Sequence, residues 1–420
     1  MTFARGTPRL EDALLGSHIE LRDDLVLAGL SEAEWRRRAP LPGSVTLDFV
    51  KMRLARLDIP MGTGAWVPAL VDGCDSPERV EALAAFFLAR VIDRSCRWVT
   101  AERQDLLKER APLWSFSIGV PVKYANSLAL GRFRRVLGIA ATWARRGVPE
   151  STTLAGACSA VRDLERVRWT TDVSVQAEIA AAVRSFITSP RALEGIYLYF
   201  DVGAGTLDGA SFRFHRPPDK PSQVNFYSGE VEHLGVAAVA GVVAAATSLA
   251  VAEVERILAE PHSRDNLSGL LDDAERQIQN LIVKVIMCSK RVDGKEWRKG
   301  LDDLAQAYHR RRHANPAGPI PLFVGGGGSG SSFFRSAILS TYDERSLGNA
   351  GVRRYSLEEV PLPDDLDMSG MASEHFRRFA VAYGLSIPPE EGPDVDLPPP
   401  ECEPPRRTPE PPVTDYQDLP

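Results

Sequence analysis

The stretch Gly195–His215, GIYLYFDVGAGTLDGASFRFH, decides the fold of this chain. Its first arm is an apolar run that ends at Val202, and its second arm alternates Phe212 and Phe214 with polar residues. Such alternation is typical of a half-buried strand, and a glycine turn between two strands predicts a hairpin. A glycine turn that leaves a strand exposes backbone N–H groups, which can bind phosphate oxygens. The stretch therefore predicts a phosphate-binding β-hairpin.

The turn also carries two carboxylates, Asp201 and Asp208, and the hydroxyl of Thr206. Carboxylates beside a phosphate would repel it unless a divalent cation bridges the two. The combination therefore favours a magnesium nucleotide over a bare phosphate.

A second glycine turn, Gly325–Gly330, follows the apolar run Ile320–Val324 and leads into SSFFRSAIL, which reads as a helix start. It fits the dinucleotide pattern G-x-G-x-x-G literally, but fewer than sixty residues remain before a proline-rich tail, too few for a complete Rossmann domain. The first turn cannot open a Rossmann unit either, because a strand follows it instead of a helix. Neither turn ends in the Gly-Lys-Ser/Thr of a Walker A loop.

Taken together, these segments resemble the actin-like ATPases, and within them the Hsp70-like branch. DVGAGTLD resembles the second phosphate motif D-x-G-x-G-T-x-D, with Ala204 where Hsp70 proteins have a third glycine. Four further segments are similar to landmarks of that family, in the same order between residues 114 and 340: SIGVPVKY, the helix from Glu178 to Ala182, His233-Leu234-Gly235 and LFVGGGGSGSSFF, the last resembling the adenosine motif.

The resemblance implies ATP and Mg²⁺ as ligands and gives each matching residue a role. Asp201 would hold the hydrated magnesium, Asp208 would support the metal or the attacking water, and Glu178 would position either of them. The backbone of the first turn and the hydroxyl of Thr206 would cradle the β- and γ-phosphates, and the second turn would approach the adenosine and α-phosphate. The residues so implied are Gly203, Ala204, Gly205 and Thr206 in the first turn, and Gly325, Gly326, Gly327, Gly328 and Ser329 in the second.

The same resemblance predicts a two-lobed α/β fold with both glycine turns at one cleft, the Gly203 and Gly325 turns on facing lobes. We expect a helical part of lobe I over 1–112, the core of lobe I over 113–195, lobe II over 196–387 and a disordered proline-rich, acidic tail over 388–420. The family's first phosphate hairpin, D-x-G-T-x-x-S, has no match in the chain. We therefore expect an ATP-dependent, chaperone-like switch that acts on a partner protein, with weak or no hydrolysis. A nucleotide-sensing scaffold and a small-molecule kinase of the same superfold stay as alternatives, although no acidic base for a kinase is identifiable.

Composition and charge disfavour several other classes of protein. The net charge of -6 disfavours a nucleic-acid partner. Five scattered cysteines without a zinc spacing suggest reduced thiols, and the N-terminus has no signal-peptide pattern, so we expect a cytoplasmic protein without a membrane span. The apolar run Leu234–Ala252 is rich in alanine and glycine, which favours a buried small-residue helix over a span.

Overall fold

The computed structural model describes residues 9–38, 42–58, 76–167, 172–188, 192–260, 263–295, 297 and 318–398 as a mixed α/β protein. The strands are β1 Ile19–Arg22, β2 Leu25–Ala28, β3 Ser44–Leu47, β4 Ser115–Val120, β5 Ser151–Thr153, β6 Asp172–Ala177, β7 Gly195–Val202, β8 Leu207–His215, β9 Gln223–Glu232, β10 Ile320–Gly325, β11 Tyr355–Glu358 and β12 Asp394–Asp396. The α-helices are α1 Leu10–Ala13, α2 Glu32–Arg37, α3 Val50–Arg56, α4 Pro77–Glu102, α5 Gln104–Leu107, α6 Ala129–Arg146, α7 Leu154–Glu165, α8 Glu178–Ile187, α9 Val236–Thr247, α10 Val251–Ala259, α11 Ser263–Val292, α12 Ser332–Glu344 and α13 Ala380–Ser386. Three short 3₁₀ helices cover Val122–Tyr124, Ser373–Arg378 and Pro389–Glu391.

A six-stranded mixed sheet of order β11-β10-β7-β8-β9-β12 forms the centre of the structure. The hairpin predicted from the deciding stretch is confirmed, because β7 and β8 pair antiparallel from Gly195 opposite Phe214 to Val202 opposite Leu207. Strand β10 lies parallel to β7 on its other side. Hydrophobic side chains of β7 point alternately into two cores, one on each face of the sheet. Burial on both faces explains why the sequence of β7 is a continuous apolar run.

The N-terminal part contains a second sheet, so the expectation of a helical segment over 1–112 is only partly correct. Strands β3, β1, β2 and β5 form an antiparallel sheet in that order, beside the long helix α4, which Ser76 caps through its side chain. The turn between β1 and β2 contains Asp23 with a positive φ of 51°. Strands of three or four residues are too short for a clear alternation of polar and apolar side chains, which is why the sequence pattern did not indicate them.

The apolar run from Leu234 to Ala252 is not one continuous helix. Helix α9 ends at Thr247, the following residue Ser248 has a left-handed backbone, and α10 begins at Val251. Among the described residues no single helix is long and apolar enough to cross a membrane. Only α9 and α10 taken together reach that length and apolarity, and they are bent by 119° at the break.

The proline-rich tail is ordered as far as Pro398, which corrects the expectation of disorder from residue 388. Strand β12 extends the central sheet by pairing parallel with β9, and the N–H of Asp394 donates to the carbonyl of Ser222 at 2.9 Å. Backbone hydrogen bonds of a sheet edge do not depend on side-chain type, so a composition poor in apolar residues gave no sign of this strand. The remainder of the predicted tail, 399–420, lies outside the described residues.

Two of the cysteines, Cys96 and Cys158, carry free thiols, whereas Cys288 is disulfide-bonded. The expectation that all five cysteines are reduced is therefore wrong.

Candidate functional site

The two glycine turns lie side by side at the ends of two neighbouring parallel strands. Gly325 is in register with Asp201 in the central sheet, and the N–H of Gly328 donates to the carbonyl of Val202 at 2.8 Å. The structure thus brings both turns to one place, as the sequence predicted, but on adjacent strands of one sheet and not on facing lobes. Ligands of α/β proteins bind outside the carboxyl ends of such strands.

Close backbone approach explains why glycine occupies key positions in the turns. Gly326 has a φ of +85°, and a Cβ at that position would collide with Oδ1 of Asp201. A Cβ on Gly205 would come within 2.6 Å of the side chains of Phe49 and Met52. Phe49 is the residue that precedes α3, so the start of α3 packs directly against the first turn.

The first turn also caps helix α9. The N–H of Gly203 donates to the carbonyl of Thr206 at 2.9 Å and closes the turn. The carbonyls of Gly203 and Ala204 accept from the N–H groups of Val236 and Ala237 at 3.0 and 2.9 Å. The positive end of the α9 dipole consequently points at the turn, which favours an anion there.

Two buried carboxylates, Asp201 and Asp208, lie in the hairpin with an oxygen each that has no hydrogen-bond partner. Both Oδ1 atoms are inaccessible and unpartnered, while Oδ2 of Asp208 accepts from the hydroxyl of Thr206 at 2.9 Å. Burial and the nearby Glu178 carboxylate raise the pKa of Asp201 to about 7, with Lys51 acting in the opposite direction. Burial and Glu178 likewise raise the pKa of Asp208 well above its usual range.

Glu178 and Lys51 complete the charged cluster from a different part of the chain. Glu178 is the first residue of α8 and packs over Gly119 at the end of β4, where a Cβ would collide with it. Nζ of Lys51 lies 2.6 Å from both carboxylate oxygens of Glu178. Burial by itself would lower the pKa of the Lys51 ammonium, but the carboxylates of Glu178, Asp208 and Asp201 together raise it.

Lys51 is the residue of this cluster that the sequence did not indicate. It belongs to no motif and stands 127 positions before Glu178. A lone lysine in the first turn of a short helix is ordinarily a solvated surface residue. Only the folded structure shows that Lys51 contacts Glu178 and lies near enough to Asp201 and Asp208 for their charges to act on it.

The second glycine turn is bordered by arginines from the C-terminal part of the described chain. The N–H of Gly326 donates to the carbonyl of Arg377 at 3.1 Å. The guanidinium of Arg378 lies 3.6 Å from the point where a Cβ on Gly327 would sit, and it also pairs with Glu32 at 3.2 Å. Ser329 is buried, and its hydroxyl donates to the carbonyl of Gly326 at 2.7 Å. The guanidinium of Arg378 therefore lies next to the backbone of Gly327, which has no side chain to separate the two.

No family model matches the sequence, and no curated protein matches it. Among solved structures, the chain is similar to the crystal structure of ethanolamine utilization protein EutJ from Carboxydothermus hydrogenoformans, with 14% sequence identity over 76% of this chain and 77% of that one. The TM-score is 0.31, which does not establish a shared fold.

The charge balance of the cluster determines what it can bind. Three carboxylates, those of Asp201, Asp208 and Glu178, surround the ammonium of Lys51. In the part of the chain that the structure describes, no three or more His, Cys, Asp or Glu side chains are placed closely enough together to hold a metal ion by themselves. Mg²⁺ usually keeps several waters and needs only one or two carboxylates. The two unpartnered Oδ1 atoms fit this requirement, because each can accept from a metal-bound water or contact the cation.

Proposed function

We propose that this chain is a nucleotide-binding protein with a two-lobed, actin-like ATPase fold, Hsp70-like in its phosphate hairpin, which binds ATP with Mg²⁺. The observation that carries the proposal is the pair of buried, unpartnered carboxylate oxygens of Asp201 and Asp208 beside two adjoining glycine turns. Leaving a buried carboxylate oxygen unsatisfied is costly. A hydrated cation that bridges these oxygens to phosphate would remove that cost.

Each group of the site has a part in holding the ligand. Bound Mg²⁺ would supply the positive charge that joins phosphate oxygens to acidic side chains. Asp201 and Asp208 would accept hydrogen bonds from its waters, and the backbone of 203–206, with the positive end of α9 behind it, would face the β- and γ-phosphates. Lys51 would donate to phosphate oxygens from the opposite direction, with Glu178 holding its ammonium in place. Lys51 thus adds a cation that the sequence motifs left out.

The second turn is the place for the adenosine side of the nucleotide. Gly326, Gly327 and Gly328 offer backbone without side chains, and Gly325 adjoins Asp201 in register. Arg378 adjoins Gly327 and would contact the α-phosphate or stack on the base. Arg378 already pairs with Glu32 of helix α2. A nucleotide that contacts Arg378 would therefore also affect this ion pair and, through it, the N-terminal part of the chain. This link suits a conformational switch that acts on a partner protein.

We propose slow hydrolysis or none. Catalysis of phosphoryl transfer consists mostly of positioning and charge stabilisation. The D-x-G-T-x-x-S hairpin, which in the actin-like family contributes a second set of backbone donors, has no match in this sequence. Removing one preorganised donor costs roughly 10²-fold or more in rate, so a missing hairpin leaves little turnover even with Lys51 present.

Isothermal titration calorimetry with Mg-ATP and Mg-ADP, repeated in EDTA, tests this function. The expected result is saturable binding that EDTA weakens, and its loss in Asp201→Ala and Lys51→Met. Asp163→Ala, on the exposed side of α7, is the matched control and should bind as the unaltered chain does. Absence of binding by the unaltered chain, or equal binding by Asp201→Ala, would refute the proposal, and a phosphate-release assay on the same samples separates a binding protein from an ATPase.

A further inference from the structure

Helix α4 borders two adjoining cavities that share no residue with the nucleotide site. One has a volume of about 390 Å³ and the other about 290 Å³. Asp93 and Arg97 line both of them, so the cavities meet along one ridge of the helix. Residues 92, 96 and 100 fall on one side of that ridge and residues 90 and 94 on the other, as the 3.6-residue period of a helix requires.

The larger cavity is mostly apolar. The rings of Trp114 and Phe116 stack with an interplanar angle of 7° and a centroid distance of 6.4 Å, and both line it together with Ile92, Cys96 and Ala144. Small-molecule sites are typically concave, apolar and about 300–1,000 Å³ in volume. The larger cavity therefore suits the apolar body of a ligand.

The smaller cavity is lined by Arg90, a buried arginine that makes no short ion pair with a carboxylate. Arg90 is only 8% exposed, and its Nε is buried without a hydrogen-bond partner. Its contact with Oδ2 of Asp93 is 3.9 Å long, beyond hydrogen-bonding distance. Asp93 instead accepts from Arg97 at 2.6 Å. A buried guanidinium in this situation is costly unless an anion reaches it.

The neighbouring carboxylates do not give Arg90 a close partner. Glu34 is held by Arg94, with a contact of 2.6 Å, and burial lowers the pKa of the Arg90 guanidinium despite the nearby charges of Asp93 and Glu150. Counted over both cavities, four guanidinium groups stand against three carboxylates, a net charge of +1. The smaller cavity by itself is balanced, with three guanidinium groups against three carboxylates, and Arg90 is the guanidinium in it whose ion-pair contact, 3.9 Å, is too long for a hydrogen bond.

We propose that the two cavities form one binding site for an apolar monocarboxylate. Its carboxylate would pair with Arg90 in the smaller cavity, and its hydrocarbon body would cross the ridge at Arg97 and lie against Trp114 and Phe116. The Arg97 side chain is 65% exposed, so its apolar stem can cover the chain while its charged end stays in water. The site is independent of the proposed nucleotide site, since no residue of that site lines either cavity.

Titration calorimetry with decanoate tests the proposal, with decan-1-ol as the ligand that lacks the charge and acetate as the one that lacks the body. We expect saturable binding of decanoate and binding at least about tenfold weaker for decan-1-ol, since a charge-assisted hydrogen bond is worth about one power of ten in affinity. Acetate should also bind at least about tenfold more weakly, because it lacks the methylene groups whose burial favours binding. Arg90→Met should weaken decanoate binding by a similar factor. Arg162→Met is the matched control, because Arg162 is exposed on α7 and lines neither cavity.

Trp114→Ala provides a second variant at a partly exposed position, in case Arg90→Met does not fold. It should weaken decanoate binding and leave the already weak binding of acetate unchanged. The proposal is overturned if decanoate does not bind the unaltered chain at millimolar concentration, or if decan-1-ol binds as tightly as decanoate. It is also overturned if every folded variant at Arg90 and Trp114 binds as the unaltered chain does.

Discussion

Replacing Asp201 by asparagine should make the ligand-free protein more stable, and increasingly so as the pH rises. The pKa of Asp201 is raised from 3.8 to about 7 by burial. Between these two values the unfolded chain is ionised at this position while the folded chain holds the proton, so stability falls as pH rises through the folded pKa. Asparagine has a similar shape and no charge at any pH, and so it removes this dependence.

The size of the effect follows from the shift. One pKa unit corresponds to about 1.4 kcal/mol, so the ionised Asp201 costs the fold about 4 kcal/mol above the folded pKa. At about pH 5 only about 1.6 kcal/mol of that cost is present, which leaves a difference of about 2.5 kcal/mol between about pH 5 and pH 8. Urea unfolding of Asp201→Asn and of the unaltered chain at both pH values measures it.

The control is Asp163→Asn, an exposed carboxylate on α7, which should leave the pH dependence unchanged. Mg-ADP should stabilise the unaltered chain more at the higher pH, because a cation competes with the proton for Asp201. If the unaltered chain and Asp201→Asn lose stability equally between the two pH values, the assignment of a buried, proton-holding carboxylate at this position is wrong.

Three further outcomes can be checked directly. Gly326→Ala should lower the free energy of unfolding by about 1–3 kcal/mol more than Gly43→Ala does, because both positions have positive φ but only the first also presses a Cβ into a site carboxylate; equal losses in urea unfolding would contradict the clash. Truncation before Asp394 should lower the melting temperature by several degrees relative to truncation after Pro398, since only the first removes β12; identical melting curves would mean that β12 adds no stability. Burial raises the pKa of Cys96 to about 11, so its alkylation by iodoacetamide, followed by mass spectrometry, should speed up roughly tenfold per pH unit from neutral to about pH 10; a rate that levels off near pH 9 would refute that pKa.

The sequence indicated the central part of the site because its signals are local. The hairpin from Gly195 to His215 and the strand-turn-helix around Gly325 are each encoded within about twenty neighbouring residues, and both are confirmed. Local patterns set the period of burial and the glycine positions of a turn. They therefore predicted the two turns well.

The relative position of distant segments depends on packing, which no local pattern records. Lys51 meets Glu178 only because the start of α3 packs on the first turn through Phe49 and Met52. The turns were expected on facing lobes, whereas the pairing of β10 with β7 makes them neighbours. Strand β12 was missed for a related reason, since an edge strand is recruited by free backbone groups of β9 and not by its own apolar residues.

Because the first glycine turn caps α9, the hairpin and the helix are held together by hydrogen bonds at that point. Any displacement of Gly203 and Ala204 pulls on the first N–H groups of α9, since their carbonyls are the caps of that helix. At its other end α9 meets α10 at a bend of 119°, where Leu249 and Val251 are exposed. The first glycine turn is therefore joined, through the backbone of α9, to an exposed apolar bend at the surface of the molecule.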